Sequence, residues 1–216
     1  MRNHDIAQVG DIALAASCSS GQNEVYAMPH YLDRAEDAAK VIASAKRIMV
    51  VGCSGGGKST LSQKLAAAFG LRYISMDREI FWLPGWQARP REEQRQRIAA
   101  IITEERWLMD GSNPSSFDMR LPISDIVLWV RMPRWLCLWG AVSRAIKGYG
   151  KARPEMAEGC PERIDVDFLR YIWNFERRHA PIFEQNFALY GQGVPVFQLK
   201  SRKQFRRLLD LLRIED

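Results

Sequence analysis

The sequence is short of cysteine, and its few cysteines follow no pairing pattern. The 216 residues contain four, Cys18, Cys53, Cys137 and Cys160, without a C-x-x-C pair or a histidine at metal-site spacing. This argues against a disulfide framework and a structural zinc site. No apolar run approaches the ~20 residues that a membrane-spanning helix requires. The sequence therefore predicts a globular protein of the reducing cytoplasm that does not associate with a membrane.

Charge is abundant but unevenly distributed. Hydrophobic residues make up 47% of the chain and charged residues 26%, which is typical of a protein with a well-packed core. The net charge is +6; residues 1–40 carry three positive and six negative charges, so residues 41–216 carry +9. The positive charge of residues 41–216 favours an anionic partner. Nucleotide phosphate and nucleic acid both fit, and charge alone does not choose between them.

The chain divides into an extension and one folded domain. Residues 1–27 have no sustained hydrophobic periodicity, and Ser17–Asn23 is rich in Ser, Gly and Asn, which predicts a disordered extension. Residues 28–46 are predicted to form a leading helix, because apolar residues recur there at helical spacing. Residues 47–216 are predicted to form the main domain.

A chain that starts at Met28 is expected to fold with nearly unchanged thermal stability, because residues 1–27 have no apolar face to bury. The melting temperature of the shortened chain, measured beside that of the full chain, checks this. A fall of more than ~5 °C, about a kcal/mol for a chain of this size, would show that the extension docks on the domain.

Short β-rich runs alternate with helical patterns through the domain. The predicted strands are 47–51, 71–76, 107–109, 125–131 and 194–199. The predicted helices are 58–69, 91–105, 133–147, 165–190 and 202–213. This alternation predicts an α/β fold, in which helices cover both faces of a parallel sheet.

One motif stands out at the end of the first predicted strand. The run Gly52-Cys53-Ser54-Gly55-Gly56-Gly57-Lys58-Ser59 matches G-x-x-x-x-G-K-[S/T] at every fixed position, between a strand and a helix. Such a loop, known as a P-loop, surrounds phosphates with backbone N–H groups, and the positive end of the helix dipole adds to the attraction. Lys58 is predicted to reach the β- and γ-phosphates, and the Ser59 hydroxyl to ligate Mg²⁺. The predicted nucleotide-binding set is Gly52, Cys53, Ser54, Gly55, Gly56, Gly57, Lys58, Ser59 and Thr60.

Alternatives to this interpretation stay open. A glycine-rich turn can match the motif by chance, although the strand before it and the helix after it argue against that. Cys53 is interpreted as a small spacer; the alternative is a nucleophile whose pKa the helix N-terminus lowers. The N/T-K-x-D tetrad typical of GTPases does not occur, so ATP is the predicted nucleotide.

Two acidic residues follow predicted strands that border the P-loop. Asp77 comes after Tyr73–Met76, and Asp110 comes after Trp107–Met109. Ligands bind at the carboxyl ends of the strands in open α/β sheets. Asp110 is the candidate Mg²⁺ ligand, and Asp77 is the candidate group that orients or deprotonates an attacking hydroxyl. Each could instead cap the N-terminus of a helix.

Several short motifs resemble one family of P-loop proteins. They are Trp82-x-Pro84-Gly85-Trp86, Trp107-x-x-Asp110-Gly111-Ser112, Phe117-Asp118-x-Arg120-Leu121, Pro133-Arg134 and Glu158-Gly159-Cys160-Pro161-Glu162-Arg163. Over about residues 47–200 the chain resembles the topology modulation (FlaR-related) proteins of the adenylate kinase-like family. The resemblance implies a P-loop NTPase fold with five parallel strands in the order 2-3-1-4-5 and a lid at about 148–163.

The same resemblance implies which arginines face the phosphates. Arg144, on the helix that enters the lid, and Arg153, within it, are the candidates to stabilise charge on the transferred phosphoryl group. Arg177 and Arg178, on the returning helix, occupy the place of a second pair. Any one of these arginines could equally be a solvated surface charge.

Aromatic residues and histidine leave further alternatives. Trp82 and Trp86 follow Asp77 in a segment with Pro and Gly, where an acceptor base could stack on them; packing is the alternative. Trp129 is predicted to be core because it lies in the middle of a strand. His179 is interpreted as a surface or lid-facing residue rather than a general base.

Together these features predict an enzyme, a P-loop kinase that uses ATP and Mg²⁺ to phosphorylate a small acceptor such as a nucleoside or nucleotide. The alternative is an ATP-switched regulatory protein that acts on DNA or on a protein partner. Its support is the basic C-terminal helix with Lys200, Arg202, Lys203, Arg206, Arg207 and Arg213. The same charges fit the solvated side of an amphipathic helix.

Overall fold

The computed structural model describes residues 28–148, 156–160 and 165–215. The predicted extension and much of the predicted lid, including Arg153 and Arg163, lie outside the described residues. The strands are β1 Tyr31–Leu32, β2 Arg47–Gly52, β3 Arg72–Ser75, β4 Trp82–Leu83, β5 Gln87–Ala88, β6 Trp107–Asp110, β7 Ile126–Val130 and β8 Val196–Leu199. The helices are α1 Ala35–Ser44, α2 Lys58–Phe69, α3 Arg91–Ile101, α4 Phe117–Arg120, α5 Arg134–Lys147, α6 Val166–Tyr190 and α7 Arg202–Leu211.

The main sheet of the described chain has six parallel strands in the order β1-β8-β7-β2-β6-β3. The predicted α/β class is confirmed, and the five predicted strands have the predicted order. The sixth strand corrects the expected number: Tyr31–Leu32 pairs with Val196 and Phe197 at the sheet edge. In the predicted leading segment, only Ala35–Ser44 is therefore helical. Two residues are too few to show the alternation by which a strand is recognised in sequence.

The centre of the sheet is apolar on both faces. Every residue of β7 is buried, and β2 is buried from Ile48 to Gly52. Continuous burial is expected of parallel strands that helices cover on both sides. Trp129, in the middle of β7, is fully buried as predicted.

An aromatic face of α6 packs against the sheet. Phe183 and Phe187 lie one helical turn apart, and their ring centroids are 5.7 and 5.6 Å from that of Trp129. Phe117 of α4 stacks on Phe187 at 5.9 Å. Pairs at these distances add about 0.5–1.5 kcal/mol each beyond the area they bury. The long helix is thus held in place, and the face that carries these rings continues into the cavity described below.

The basic helix α7 is amphipathic. Phe205, Leu208 and Leu209 are buried in the main core, whereas Arg206 and Arg207 are exposed. Arg207 forms an ion pair with Glu36 of α1 at 2.9 Å. These positions fit the solvated side of a surface helix. Among the described helices, none is both long enough and apolar enough to cross a bilayer.

Candidate active site

The glycine-rich loop lies between β2 and α2, the context that its motif requires. Gly57 precedes the helix with a φ of 97°, a left-handed conformation that favours glycine. The loop packs directly on α5, since a Cβ on Gly140 would lie 2.2 Å from the carbonyl oxygen of Gly55. The positive end of the α2 dipole, which favours anions, therefore lies at a loop that α5 holds in place.

Two side chains brace the loop, one from within it and one from the segment after β6. The Lys58 ammonium donates a hydrogen bond to the carbonyl oxygen of Cys53 at 2.9 Å. The Ser112 hydroxyl accepts from the amide of Gly52 and donates to its carbonyl oxygen, both at 3.1 Å. The segment after β6 is thus tied to the start of the P-loop.

A cavity of about 540 Å³ borders the loop, a size typical of sites for small ligands. Most of the predicted nucleotide-binding residues line it: Gly52, Ser54, Gly55, Gly57, Lys58, Ser59 and Thr60. Cys53 and Gly56 are buried and do not belong to its wall. Asp77, Asp110 and Arg144 line the same cavity.

Cys53 faces the protein interior. Its Sγ lies 4.0 Å from the carbonyl oxygen of Ile172 in α6. Hydrogen bonding with the Cys137 thiol, together with burial, raises the pKa of Cys53 well above its usual range. A thiol with a raised pKa is a poor nucleophile, which agrees with the interpretation of Cys53 as a spacer.

Asp110 ends β6 with a buried carboxylate. It is 6% exposed, and its Oδ2 accepts a hydrogen bond from the Tyr73 hydroxyl at 3.1 Å. Its Oδ1 is buried and has no hydrogen-bond partner among the described residues. A buried carboxylate oxygen left in this state is costly unless a bound group pairs with it.

The oxygens of Asp110 and Ser59 fit Mg²⁺. Both residues line the cavity, and Mg²⁺ prefers one or two protein oxygens beside substrate phosphates and water. The described residues contain no group of three or more His, Cys, Asp or Glu that could hold a metal by themselves. A sparse donor set of this kind suits a metal that arrives with a nucleotide.

Asp77 follows β3, the strand that pairs with β6, and is exposed in the cavity wall. It is the first residue of a π-helical turn, Asp77–Phe81, whose cap position is Met76, so Asp77 is not the cap. Burial raises the pKa of Tyr171 on α6, and the charge of Asp77 adds to that shift. The carboxylate is therefore near α6 and accessible from the cavity.

The predicted arginines differ in their placement. Arg144 lies on the cavity wall, half-buried, whereas Arg153 lies outside the described residues. Arg177 and Arg178 are exposed and form no part of the wall, so the implied second pair is not found there. The helical period explains this, because α6 directs its positions 175, 179 and 183 inward.

Arg202 is a cavity residue that sequence reasoning treated only as part of a basic helix. It is the first residue of α7, and its Nη1 lies 2.8 Å from where a Cβ on Gly57 would stand. Its guanidinium is thus beside the P-loop. The only signal in the sequence was its position directly after the last strand, where ligands of α/β sheets bind.

Arg120 holds the segment that follows Asp110. Its guanidinium is fully buried and donates to the carbonyl oxygens of Gly111, Ser112 and Asn113 and to the Ser116 hydroxyl. Burial lowers the pKa of Arg120 to about 9, so it remains protonated at neutral pH. The segment that it holds forms part of the cavity wall.

The far part of the cavity is lined by aromatic rings. Trp82 and Trp86 are both wall residues and meet edge to face with centroids 5.4 Å apart. Trp86 also packs on the short segment 156–160, where its amide donates to the Cys160 sulfur at 3.2 Å. His179, predicted to be a surface or lid-facing residue, is 9% exposed and packs on Phe175 at 4.9 Å in the cavity wall.

Comparison with known proteins gives similarity in structure only. No family model and no curated protein matches the chain. Solved structures similar to it include a shikimate kinase from Acinetobacter baumannii in complex with shikimate (13% identity, TM-score 0.45, 81% of this chain and 97% of that one). Another is the deoxyadenosine kinase of M. mycoides with bound dCTP (15% identity, TM-score 0.42, 77% of this chain and 98% of that one).

The chain has an α/β fold with a P-loop. At 13% and 15% identity and with TM-scores below 0.5, the similar structures do not indicate what the cavity binds. One continuous space is lined by the glycine-rich loop, two strand-end carboxylates and an aromatic region. Such a space can hold a polyphosphate and a second, less polar molecule at the same time.

Proposed function

We propose that this chain is a P-loop kinase that transfers the γ-phosphoryl group of ATP to a hydroxyl of a small acceptor such as a nucleoside or nucleotide. The observation that carries the proposal is one shared cavity. Its wall includes Lys58 and Ser59 of the P-loop and the carboxylates of Asp77 and Asp110. The resemblance to the topology modulation (FlaR-related) proteins and a cytoplasmic location remain predictions.

The phosphates of ATP would lie along the P-loop. Lys58 would leave the Cys53 carbonyl oxygen, which it contacts at 2.9 Å, and bind β- and γ-phosphate oxygens instead. Arg144 and Arg202 lie on the same wall and supply further positive charge for the transferred group. Ser59 and Asp110 would hold Mg²⁺, which neutralises charge between the β- and γ-phosphates when bound.

Asp77 would act on the acceptor. As the hydroxyl oxygen of the acceptor bonds to the γ-phosphorus, the bond to the β-phosphate oxygen breaks, and ADP leaves. The proton of the hydroxyl passes to the Asp77 carboxylate, which is exposed in the cavity wall. Most of the acceleration comes from positioning and from charge stabilisation.

A screen of acceptors tests the proposal. The full chain is incubated with ATP, Mg²⁺ and nucleosides, nucleotides or other small hydroxyl compounds, and ADP formation is followed together with the mass of the acceptor. We expect ADP to form only with the correct acceptor, which gains one phosphoryl group. ATP binding without transfer to any acceptor would favour the regulatory alternative, for which DNA binding with a steep dependence on salt is the direct measurement.

Neutral variants of the two acids are expected to fail in different ways. Asp110→Asn should weaken Mg²⁺-dependent ATP binding about tenfold, partly recovered at high Mg²⁺, because a charge at the metal is lost. Asp77→Asn should leave that affinity nearly unchanged and slow transfer by ~10²-fold, because a base is lost. Calorimetric titration with ATP at two Mg²⁺ concentrations, beside turnover, measures both effects.

Asp210→Asn is the matched control, since Asp210 is exposed on α7 and is not part of the cavity wall. This substitution should change neither the Mg²⁺-dependent affinity for ATP nor the rate of transfer. Equal loss of Mg²⁺-dependent binding in both acid variants would assign both carboxylates to the metal, and loss of stability alone would make them structural residues.

A further inference from the structure

We propose that Cys53 of the P-loop and Cys137 of α5 form a reversible disulfide that weakens nucleotide binding. The claim about ATP rests on the proposed function, whereas the disulfide itself does not. Both residues are unbridged cysteines in the structure. In reducing compartments disulfides are usually transient and either catalytic or redox-sensing, so the lack of a disulfide framework does not argue against such a pair.

The two thiols are in direct contact. A hydrogen bond joins the side chains of Cys53 and Cys137. The loop and α5 pack closely around this contact: a Cβ on Gly56 would lie 3.6 Å from the Cys137 sulfur, and a Cβ on Gly55 would lie 2.0 Å from the Cys137 carbonyl oxygen. The structure therefore holds a pair of thiols, not a single cysteine, at the nucleotide loop.

Cys137 has the surroundings of a reactive thiol. The hydrogen bond from Cys53 lowers the pKa of Cys137; burial opposes this change, and the positive charges of Lys58 and Arg202 add to it. Reactive cysteines typically lie beside lysine or arginine, and the thiolate is the form that an oxidant attacks. Cys137 is thus the thiol that is oxidised first, and Cys53 is the thiol that closes the disulfide.

Hydrogen peroxide is the oxidant that fits this place, because it is small and uncharged and the two residues are 6% and 0% exposed. The cavity gives it a path to the loop, since Gly52 and Ser54, on either side of Cys53, line the wall. The Cys137 thiolate attacks peroxide: an S–O bond forms, the O–O bond breaks, and a sulfenic acid results. The hydroxide that leaves takes up the proton that Cys137 had released.

The second step closes the disulfide. The hydrogen bond that raises the pKa of Cys53 depends on the Cys137 thiol, so it is lost when Cys137 is oxidised. The Cys53 sulfur then attacks the Cys137 sulfur; an S–S bond forms, the S–O bond breaks, and the hydroxyl leaves as water with the Cys53 proton. In sum, two thiols lose two electrons and two protons, and one peroxide becomes two waters.

The disulfide would displace the loop rather than the helix. Hydrogen-bonded sulfurs stay at van der Waals distance, whereas an S–S bond is about 2.05 Å long, so the sulfurs have to approach each other. α5 has no room to come closer, because Gly140 already touches the Gly55 carbonyl oxygen. The shift therefore falls on Cys53, whose carbonyl oxygen holds the Lys58 ammonium at 2.9 Å. Backbone N–H groups next to it would leave the positions that suit phosphates.

The reverse effect follows from thermodynamic linkage. If the disulfide weakens ATP·Mg²⁺ binding about tenfold, bound ATP·Mg²⁺ disfavours the disulfide by the same factor. For a two-electron couple, a factor of ten raises the reduction potential of the pair by about 30 mV. The proposed contact of Lys58 with the phosphates acts in the same direction, because it takes a positive charge away from the Cys137 thiolate.

The test uses the full chain, first reduced with dithiothreitol and then treated with hydrogen peroxide. Peptide mass mapping without reductant should find a disulfide between positions 53 and 137. Calorimetric titration should give a Kd for ATP·Mg²⁺ about tenfold higher after oxidation, and dithiothreitol should restore the original value. Equilibration with reduced and oxidised dithiothreitol, with and without saturating ATP·Mg²⁺, measures the shift in potential.

Single variants identify the thiols responsible. Cys53→Ala and Cys137→Ala should each lose the response to peroxide, when each is compared with its own reduced form. Cys160→Ala is the matched control, since Cys160 is also buried but packs on Trp82 and Trp86 of the β4–β5 hairpin. The Cys160→Ala protein should respond to peroxide as the unsubstituted protein does.

The outcomes separate the two claims. If peroxide produces no disulfide between 53 and 137 in the unsubstituted chain, or if that disulfide leaves ATP·Mg²⁺ affinity unchanged, the inference is overturned and the kinase proposal stands. Loss of the response in Cys160→Ala would overturn it as well. A reduced chain that does not bind ATP·Mg²⁺ would overturn the proposed function and the claim about ATP, and the mass map would still decide whether the thiols pair.

Discussion

Replacing Lys58 with alanine is expected to lower turnover by ~10²-fold or more while the fold remains intact. The ammonium lies at the start of α2 in the cavity wall, and in the structure it bonds only to a loop carbonyl within the described residues. Its loss removes the principal cation at the β- and γ-phosphates, and single electrostatic contacts of this kind are worth about 2.7–4 kcal/mol in the transition state. Steady-state turnover and a thermal melt of the variant measure both quantities.

Lys64→Ala is the matched control for this change. Lys64 lies on the same helix but outside the cavity wall, and its ammonium contacts the carbonyl oxygen of Glu215. The Lys64→Ala protein should turn over ATP at nearly the rate of the unsubstituted protein. A folded Lys58→Ala protein with unchanged turnover would remove the basis for placing a nucleotide at the P-loop.

Arg120→Met is expected to lower the free energy of unfolding by about 3 kcal/mol, because each buried acceptor left unsatisfied costs about 1–3 kcal/mol. Four acceptors lose a donor: three carbonyl oxygens and the Ser116 hydroxyl. Relief of the cost of burying a charge opposes this loss but does not supply new donors. For a chain of this length the melting temperature should fall by about 6–12 °C.

Arg95→Met supplies the comparison, since Arg95 forms a partly exposed ion pair with Asp118 and donates to one carbonyl oxygen, that of Ser115, rather than to three. Pairs of that kind contribute about 0–1 kcal/mol, so the melting temperature should change little. The Arg120 variant should also bind acceptor more weakly, because the residues 111–113 that it holds line the cavity. Similar melting temperatures for the two variants would show that the carbonyl oxygens do not depend on Arg120.

The sequence was most informative where local pattern and tertiary structure agree. The P-loop motif needs only neighbouring residues, and its strand and helix appear as predicted, with α2 starting at Lys58. The order of the five predicted strands followed from the family resemblance rather than from the residues themselves. Asp77 and Asp110 reach one cavity because the carboxyl ends of parallel strands meet at one edge.

The sequence was least informative where a side chain is placed by distant contacts. Arg120 is a charged residue that pattern alone would assign to the surface, yet it is completely buried and donates to three carbonyl oxygens of one segment. Arg202 reaches the P-loop only because β8 delivers α7 beside it. His179 is inward because α6 is long enough for its aromatic face to pass from the sheet to the cavity.

The contact between Gly140 and Gly55 means that the P-loop restricts which residue α5 can carry at position 140. In the middle of α5, glycine lowers helix stability by about 1 kcal/mol relative to alanine, so ordinary stability engineering would select alanine there. A methyl group at this position would instead strike the carbonyl oxygen of Gly55 at 2.2 Å. Natural variation at position 140 should therefore be as restricted as in the P-loop, although nothing in its own stretch of sequence would indicate why.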